Sequence, residues 1–429
     1  MRQFTPQPTA GYLVGGAVRD TLLGLPVRDY DWLVARPQNE AERTARLLAG
    51  RAFVLDIARD HWRVVSGSVT HDYAPLGGLE ANLRARDYTI DAIAADLGGT
   101  LTDPTGGLND LRAKQLRLIS RENLWADPLR GLRGVRLATT LELKLERATE
   151  KAIHAHAAAL ARGVTPLPAW ERVGDELTRL LLSERAAAGF LRLHHCGLLR
   201  AFLPELAEAD GVTQGGFHHL DVLQHSLEAL HQLLLGFPDA DLPLRWGTLL
   251  HDVGKSRTKS LDDAGHHYHF YGHDKLGGEL AQTLLRRLRI PNDVAERSAE
   301  LIRYHMLPLP KNEREARRFV HRRRALLPNL LKLMIADREA ARGPLSSEAS
   351  RKAYQLALAR VLEVMNEAPP QSPLLDGNEV MRLLGLTPGP RVGEAVRFVH
   401  EAEAVGDVRT RTEAEAALRN YAHRQGWLD

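Results

Sequence analysis

Asp29 and Asp31 stand two residues apart in the run Asp29-Tyr30-Asp31-Trp32-Leu33-Val34. Side chains alternate along a β-strand, so the two carboxylates share one face. Oxygens paired at that spacing suit hard divalent cations. Upstream, the apolar run Tyr12-Leu13-Val14 leads into Gly15-Gly16 and a short helical segment, Ala17 to Leu23, carrying Arg19. Glycines at a strand-to-helix turn let backbone N–H groups approach an anion at a helix N-terminus, where the dipole also favours negative charge. Each feature alone is an ordinary turn or an ordinary strand end. In the order strand, Gly-Gly, helix, strand, Asp-x-Asp they describe a phosphate cradle beside a metal-binding pair, which metal-assisted phosphoryl or nucleotidyl transfer needs.

Further along, WADPLRGLRGVRLA places Asp127, Arg130, Arg133 and Arg136 three residues apart, so the spacing predicts one slowly drifting helix face. A carboxylate and a guanidinium a turn apart offer acceptors and donors to a base edge. The ordinary alternative is an intrahelical salt bridge with a solvated arginine stripe.

Eleven of the chain's 19 histidines are bunched between His218 and His321. His225 lies in a helical stretch, followed by His251-Asp252, His273-Asp274, His305 and Asp337. A lone histidine on an apolar helix is usually a satisfied core residue. Imidazoles and carboxylates from separate helices, however, can converge in a bundle core on one or two transition metals. Seven basic side chains occur between Lys311 and Arg324. Lys311, Arg314, Arg317, Arg318 and Arg322 on such a helix could grip RNA phosphates, against the plain reading of a solvated helix face.

Residues 1–120 must position the aspartates. Short β-like runs at Leu13–Gly15, Trp32–Ala35, Ala52–Ile57, Trp62–Ser66, Ile93–Leu97 and Leu116–Ile119 alternate with helices such as Glu40–Leu48, giving an α/β domain with a small mixed sheet. Beyond residue 120 apolar residues recur at three- and four-residue spacing almost everywhere. Helices are predicted at Arg130–Leu143, Thr149–Leu160, Trp170–Leu182, Ala186–Leu203, Leu374–Leu386 and Glu413–Arg424. A Gly-Pro-Leu-Ser-Ser linker at Gly343–Ser347 precedes the final helical region.

At 429 residues the chain is long enough for two to four domains. No run of 18 or more apolar residues appears, so no membrane span and no membrane partner are expected. The opening MRQFTPQPTAGYLVGG lacks a charged segment followed by an apolar core, so secretion is not expected. A single cysteine, Cys196, allows no internal disulfide and fits a reducing cytoplasm. The formal charge of +3 is close to neutral for this length, which leaves room for a local basic stripe.

The stretch from Gly11 to Val34 closely resembles the signature of class II tRNA nucleotidyltransferases, the family of CCA-adding enzymes and bacterial poly(A) polymerases. The resemblance implies that Asp29 and Asp31 are catalytic and hold two Mg2+ ions, and that Gly15, Gly16 and Arg19 hold the incoming triphosphate. Leu79 to Leu97 is similar to the family's second motif and implies ribose and phosphate contacts for Arg86 and Asp87. It departs from the pattern at Ala85, where the family has arginine, and at Asp91, where it has asparagine. Asp127 and Arg130 match the family's protein template for the incoming base, with Arg133 and Arg136 assisting. Asp103–Leu111 and Trp170–Leu177 resemble motifs with structural work, the latter bracing helices by buried ion pairing.

The order of histidines and aspartates looks like that of the HD phosphohydrolase superfamily over roughly residues 218–340. This implies His225, His251, Asp252 and Asp337 as ligands of one transition metal, such as Mn2+, Ni2+ or Co2+. His273 and His305 would serve a second metal or the substrate phosphate. The expected architecture is an α/β nucleotidyltransferase head (1–120), an all-α neck and body carrying the template helix (121–211), an HD domain (212–342) and a helical tail (343–429).

The expected activity is template-independent extension of the tRNA 3′ end, with tRNA, CTP and also ATP as partners and phosphatase or 2′,3′-cyclic phosphodiesterase activity in the HD domain. Only 54 residues separate Asp31 from Arg86. In the family a missing switch loop there marks CC-adding members, so CC addition is the expectation. Full CCA addition, A addition and poly(A) polymerisation are the alternatives. A reading from another class is an HD-type metal phosphohydrolase with a head that merely binds nucleotides; the intact Asp29/Asp31 pair argues against it.

Overall fold

The computed structural model describes residues 6–214, 219–261, 268–341, 347–367 and 373–428. Expectations resting on His218 and on most of the Gly343–Ser347 linker lie outside these residues. The chain divides into two compact units, Met1–Glu208 with Leu284–Ile290, and Ala209–Thr283 with Pro291–Asp429.

The first unit opens with a seven-stranded mixed sheet. Its strands are β1 (Tyr12–Val14), β2 (Asp29–Val34), β3 (Arg51–Asp56), β4 (His61–Ser66), β5 (Val69–Pro75), β6 (Ala94–Asp96) and β7 (Leu101–Thr102). Their spatial order is β3-β4-β5-β2-β1-β6-β7, antiparallel except for the β2–β5 pair. Helix α1 (Gly16–Leu22) follows β1 at the Gly15 turn. Helix α2 (Pro37–Leu47) covers one face of the sheet, where Val64 and Tyr73 are fully buried and the Tyr73 hydroxyl meets Thr44 Oγ1 at 2.7 Å. The alternation Val69, His71, Tyr73 is a strand pattern that the mixed polar content of β5 hides from a hydrophobicity reading, so no strand is expected there from the sequence.

Helices α3 (Leu79–Arg84), α4 (Gly107–Arg112), α5 (Arg121–Ala126), α6 (Arg130–Thr140), α7 (Arg147–Ala161) and α8 (Trp170–Leu181) complete the part of the first unit that positions the site. Asp103 anchors α4 by accepting the N–H groups of Gly106, Gly107 and Leu108 at 2.9 Å each. The Leu116–Ile119 run forms a strand only at Gln115–Leu116, paired with Lys144–Leu145 outside the main sheet. The helix expected over Ala186–Leu203 is interrupted: it runs Ala186–His195 and resumes at Leu198–Phe202, because Gly197 takes φ 78°. Cys196 is buried beside that break.

Among its described residues the second unit is helical apart from a two-stranded ladder, Ser260–Leu261 with Tyr268–His269. Val222–Gly236, Leu242–Leu250, Asn292–Tyr304 and Asn329–Ala340 bury Leu230, Leu233, Leu249, Leu301 and Leu333 among themselves. Gly377–Leu384, Pro390–Ala404 and Arg411–Arg424 form a separate core around Val380, Val399 and Leu418. No described helix is long and apolar enough to cross a membrane.

Candidate functional site

In the first unit, β2 carries Asp29 and Asp31 on one face, and the parallel register sets Asp72 of β5 opposite Asp31. Burial pushes the Asp31 carboxyl above its usual range, Arg86 pulls it back, and Asp72 pushes it up again. Asp72 is held by Arg63 of β4 in a two-pronged contact, Nε and Nη2 each 2.7 Å from a carboxylate oxygen. Asp29 and Asp31 add to the negative field around that same guanidinium. The sequence reading missed both Arg63 and Asp72, which only the strand register brings beside the aspartates.

The Gly15-Gly16 turn sits against this cluster. Gly15 has φ 75°, and a Cβ there would collide with the Arg86 guanidinium and lie 3.3 Å from Asp31 Oδ2. Its N–H donates to Ile93 O at 3.2 Å, tying the turn to the sheet. Arg86 also donates to the Asp91 carbonyl at 3.3 Å. Arg19 is buried rather than extended towards solvent. It donates to Asp20 at 2.8 Å and pairs with the fully buried Asp91. Arg133 closes the network, with Nε 3.0 Å from Asp87 Oδ2 and Nη2 3.4 Å from Asp91 Oδ2. Burial opposes ionisation of Asp91, but Arg19, Arg133 and Arg86 outweigh it and hold the carboxyl below its usual range.

Asp127 does not share a helix face with Arg130, Arg133 and Arg136, contrary to the three-residue spacing. It caps the end of α5 in an extended conformation, φ −137° and ψ 110°, because the residue before Pro128 is driven out of the helical region. Its Oδ1 accepts the Leu129 N–H at 3.1 Å, so it shapes the start of α6. Both its oxygens meet Arg172 of α8, at 2.6 and 3.3 Å. Burial resists ionisation of Asp127, and Arg172 with the Leu129 N–H overcomes it. Arg130 donates to the Asn123 and Ala85 carbonyls at 2.9 and 3.2 Å. Arg136 is spent on Glu176 at 2.6 Å, a largely buried brace between α6 and α8.

In the second unit, six side chains converge. His225 Nε2 lies 2.9 Å from Asp337 Oδ1 and 3.3 Å from His251 Nε2, which is itself 3.3 Å from Asp252 Oδ2. Asp252 Oδ1 lies 3.4 Å from His273 Nε2 and 3.7 Å from His305 Nε2. The Nδ1 atoms of His251, His273 and His305 each meet a backbone carbonyl, of Thr248, Phe270 and Ile302, at 2.8, 2.7 and 2.6 Å. Those carbonyls take the Nδ1 protons and turn the Nε2 atoms to the centre, where a metal would replace any proton that Nε2 carries. Asp252 Oδ1, His273 Nε2 and His305 Nε2 are buried without a hydrogen-bond partner. Buried polar atoms left in that state fit a metal ion. His225, His251 and Asp337 form one set able to hold an ion, and His251, Asp252 and His305 another. Burial works against protonation of His251, yet Asp252 and Asp337 push its pKa up to about 10. Lys255, unassigned in the sequence reading, bridges Asp252 and Gln214 at 2.7 Å each.

The basic helix Glu313–Arg323 is already engaged. Arg314 pairs with Asp407, Arg317 with Glu313 and Glu367, and Arg318 and Arg322 with Glu401, while Lys311 is exposed.

A sheet bearing a Gly-Gly turn and a strand-borne carboxylate pair, followed by helices and a His/Asp-lined bundle, defines a metal-using nucleotidyl-transfer head joined to an HD bundle. Residues 142–210 match the family described as "Probable RNA and SrmB- binding site of polymerase A", and residues 218–342 match the HD domain. The chain is 54% identical to the A-adding tRNA nucleotidyltransferase of Deinococcus radiodurans, covering 97% of this chain and 96% of that one. It is 46% identical to the CC-adding tRNA nucleotidyltransferase of Thermus thermophilus, covering 96% and 93%. The fold is shared with the CCA-adding enzyme of Bacillus stearothermophilus solved with CTP, at a TM-score of 0.66 and 23% identity over 97% of this chain and 94% of that one. The chain belongs to the tRNA nucleotidyltransferase family.

Proposed function

We propose that this nucleotidyltransferase carries out one part of CCA synthesis on tRNA rather than all of it. The observation behind this is the connection between β5 and α3. It consists of Leu76, Gly77 and Gly78 alone, with Leu76 N–H bonded to Val34 O at 2.7 Å. A link that short has no flexible segment to re-form the base pocket between two nucleotides, which favours a single specificity.

Two observations bear on which nucleotide is added. The missing loop, through the family resemblance, favours CC addition. The 54% identity to an A-adding relative, against 46% to a CC-adding one, favours the terminal adenylate. Identity over the whole chain samples every residue of the pocket, whereas the loop samples one connection, so AMP addition to tRNA ending in CC is the expected outcome. The tRNA 3′-hydroxyl attacks the α-phosphorus of the nucleoside triphosphate and pyrophosphate leaves. Asp29 and Asp31 would hold Mg2+, which would supply activation of the hydroxyl and charge stabilisation of the leaving oxygens. Gly15, Gly16 and Arg86 line the triphosphate side, and Asp127, Arg130 and Arg172 the base side. The His/Asp cluster holds a transition metal such as Mn2+, Ni2+ or Co2+ and supports phosphatase or cyclic phosphodiesterase chemistry. A cytoplasmic location suits a chain with one cysteine and tRNA as substrate.

The deciding experiment incubates the protein with tRNAs ending at the discriminator base or at CC, with each nucleoside triphosphate singly and with CTP and ATP together. The expected result is one AMP on the CC-ended tRNA and nothing on the shorter one. Two CMPs on the shorter tRNA, with no AMP after them, establishes CC addition. Stepwise addition of C, C and A overturns the single-specificity reading.

A further inference from the structure

Helix α2 packs on one face of the catalytic sheet, and on the other face Leu83 of α3 joins Val14, Leu33 and Ala94 at the inner strands. Cross-strand register decides what lies further out on that second face. Asp31 of β2 stands opposite Asp72 of β5, Asp72 opposite Arg63 of β4, and Arg63 opposite Phe53 of the edge strand β3. Residues directly opposite one another point to the same side of a sheet. One row of side chains therefore runs from the catalytic aspartates to Phe53. The neighbouring row runs Asp29, Thr70, Val65, Arg51. Under α2, Val64, His71 and Tyr73 are at 0–1% exposure, while Val54 at the β3 edge of that face is 40% exposed. The outer end of the catalytic face is open: Phe53 is 44% exposed and Val65 37%. Arg51 is exposed and has no ion-pair partner among the described residues.

We propose that this open end, with Phe53 as stacking surface and Arg51 as phosphate contact, is a platform for the unpaired 3′ end of the RNA substrate. The inference rests on the nucleotidyl-transfer reading above. Phe53 lies three strands from Asp31, about 14 Å at the usual strand spacing, which is the reach of the last few nucleotides of a single strand. A polymer whose terminal hydroxyl must meet Asp29 and Asp31 can cross β5 and β4 with its bases on Val65 and Phe53. Arg63 is committed to Asp72, so Arg51, at the end of the neighbouring row, is the cation placed to meet a backbone phosphate. Aromatic stacking of this kind tolerates any base, as a substrate set of many tRNAs requires. An apolar edge strand is also a template for pairing with another chain. The continuous row of register from the aspartates to Phe53 favours RNA over that partner.

The test compares the full chain with Phe53→Ala, Phe53→Tyr and Arg51→Ala. The Michaelis constant for tRNA is measured, together with the melting shift produced by nucleoside triphosphate alone. Phe53→Ala is expected to raise KM for tRNA about tenfold, Phe53→Tyr to restore it, and Arg51→Ala to raise it and flatten its salt dependence. The nucleotide-induced melting shift is expected to match wild type in all three. Unchanged KM in Phe53→Ala and Arg51→Ala, with wild type extending tRNA, overturns the platform alone. If Phe53→Ala instead lowers the sedimentation mass with KM unchanged, the surface serves self-association and the proposal fails. A wild-type protein that extends no RNA overturns both this platform and the function on which it rests.

Discussion

The Arg19 guanidinium is paired with the buried carboxylate of Asp91 directly beneath the Gly15-Gly16 turn. The same carboxylate meets Arg133 on its other oxygen, and its backbone carbonyl takes Arg86. One residue thus fixes three guanidinium groups around the site that a triphosphate would enter. A buried charge cluster of this kind is costly to break from one side, because the remaining partners stay buried without compensation. Asp91→Ala is expected to lower stability to denaturant by about 3–5 kcal/mol. Asp91→Asn is expected to cost less, since it keeps an oxygen towards Arg19. An Asp91→Ala protein with the wild-type unfolding midpoint would remove Asp91 from this role.

The two proposed metal-binding clusters draw on different residues of the two units, so their activities should separate by mutation. Asp31→Asn is expected to reduce nucleotide addition by more than the roughly 10–100-fold typical of outer-shell partners of a metal, with phosphatase activity intact. Asp337→Asn is expected to do the reverse. Radiolabelled nucleotide incorporation and phosphate release from a 2′,3′-cyclic nucleotide measure the two independently. Loss of both activities in either variant would place them in one site.

Much of this was legible from spacing alone, and the limits have physical causes. The Asp29/Asp31 pair and the Gly-Gly turn were readable because strand periodicity and glycine chemistry act over a few residues. The HD cluster was readable because its residue types are rare on apolar helices. Arg63 and Asp72 were not, since their place beside Asp31 depends on strand register across forty residues of chain. The helix face predicted from Asp127 to Arg136 failed locally, because Pro128 sets the backbone of the residue before it. The basic run after Lys311 reads alike whether its arginines face solvent or acids, and the partners Glu367, Glu401 and Asp407 are far away in sequence.

Arg172 occupies both carboxylate oxygens of Asp127, the residue proposed to read the incoming base. With Arg172 in place Asp127 has one orientation; without it the carboxylate can turn. The pair is partly exposed, so its contribution to stability is small. A well-placed two-pronged contact at a base edge is worth about 1–3 kcal/mol of discrimination. Arg172→Ala is therefore expected to leave the melting temperature near wild type and to lower the preference for the correct nucleotide by about tenfold. Competition between labelled CTP and ATP on one tRNA measures this, and an unchanged ratio would make Arg172 a brace and nothing more.

His71 gives the first unit a defined acid response. It is sealed under α2, stacks on Tyr30 at a centroid distance of 4.8 Å, and accepts the Trp32 Nε1 hydrogen at 3.2 Å. Burial drives its pKa down to about 4, with Asp72 pulling weakly the other way. An unfolded histidine titrates near 6.5. Between those values the unfolded chain binds the proton and the folded chain does not, so stability rises with pH across that window. The contribution is complete above about pH 6.5 and is lost as pH falls towards 4. His71→Asn keeps an acceptor for Trp32 but cannot take up the proton. Its melting temperature should therefore fall less steeply than wild type between pH 6.5 and 4, by up to one proton's worth of slope, and the two profiles should run parallel above that range. Parallel profiles throughout would mean that His71 is protonated in the folded state, which the Trp32 N–H pointing at Nδ1 forbids unless the ring turns over.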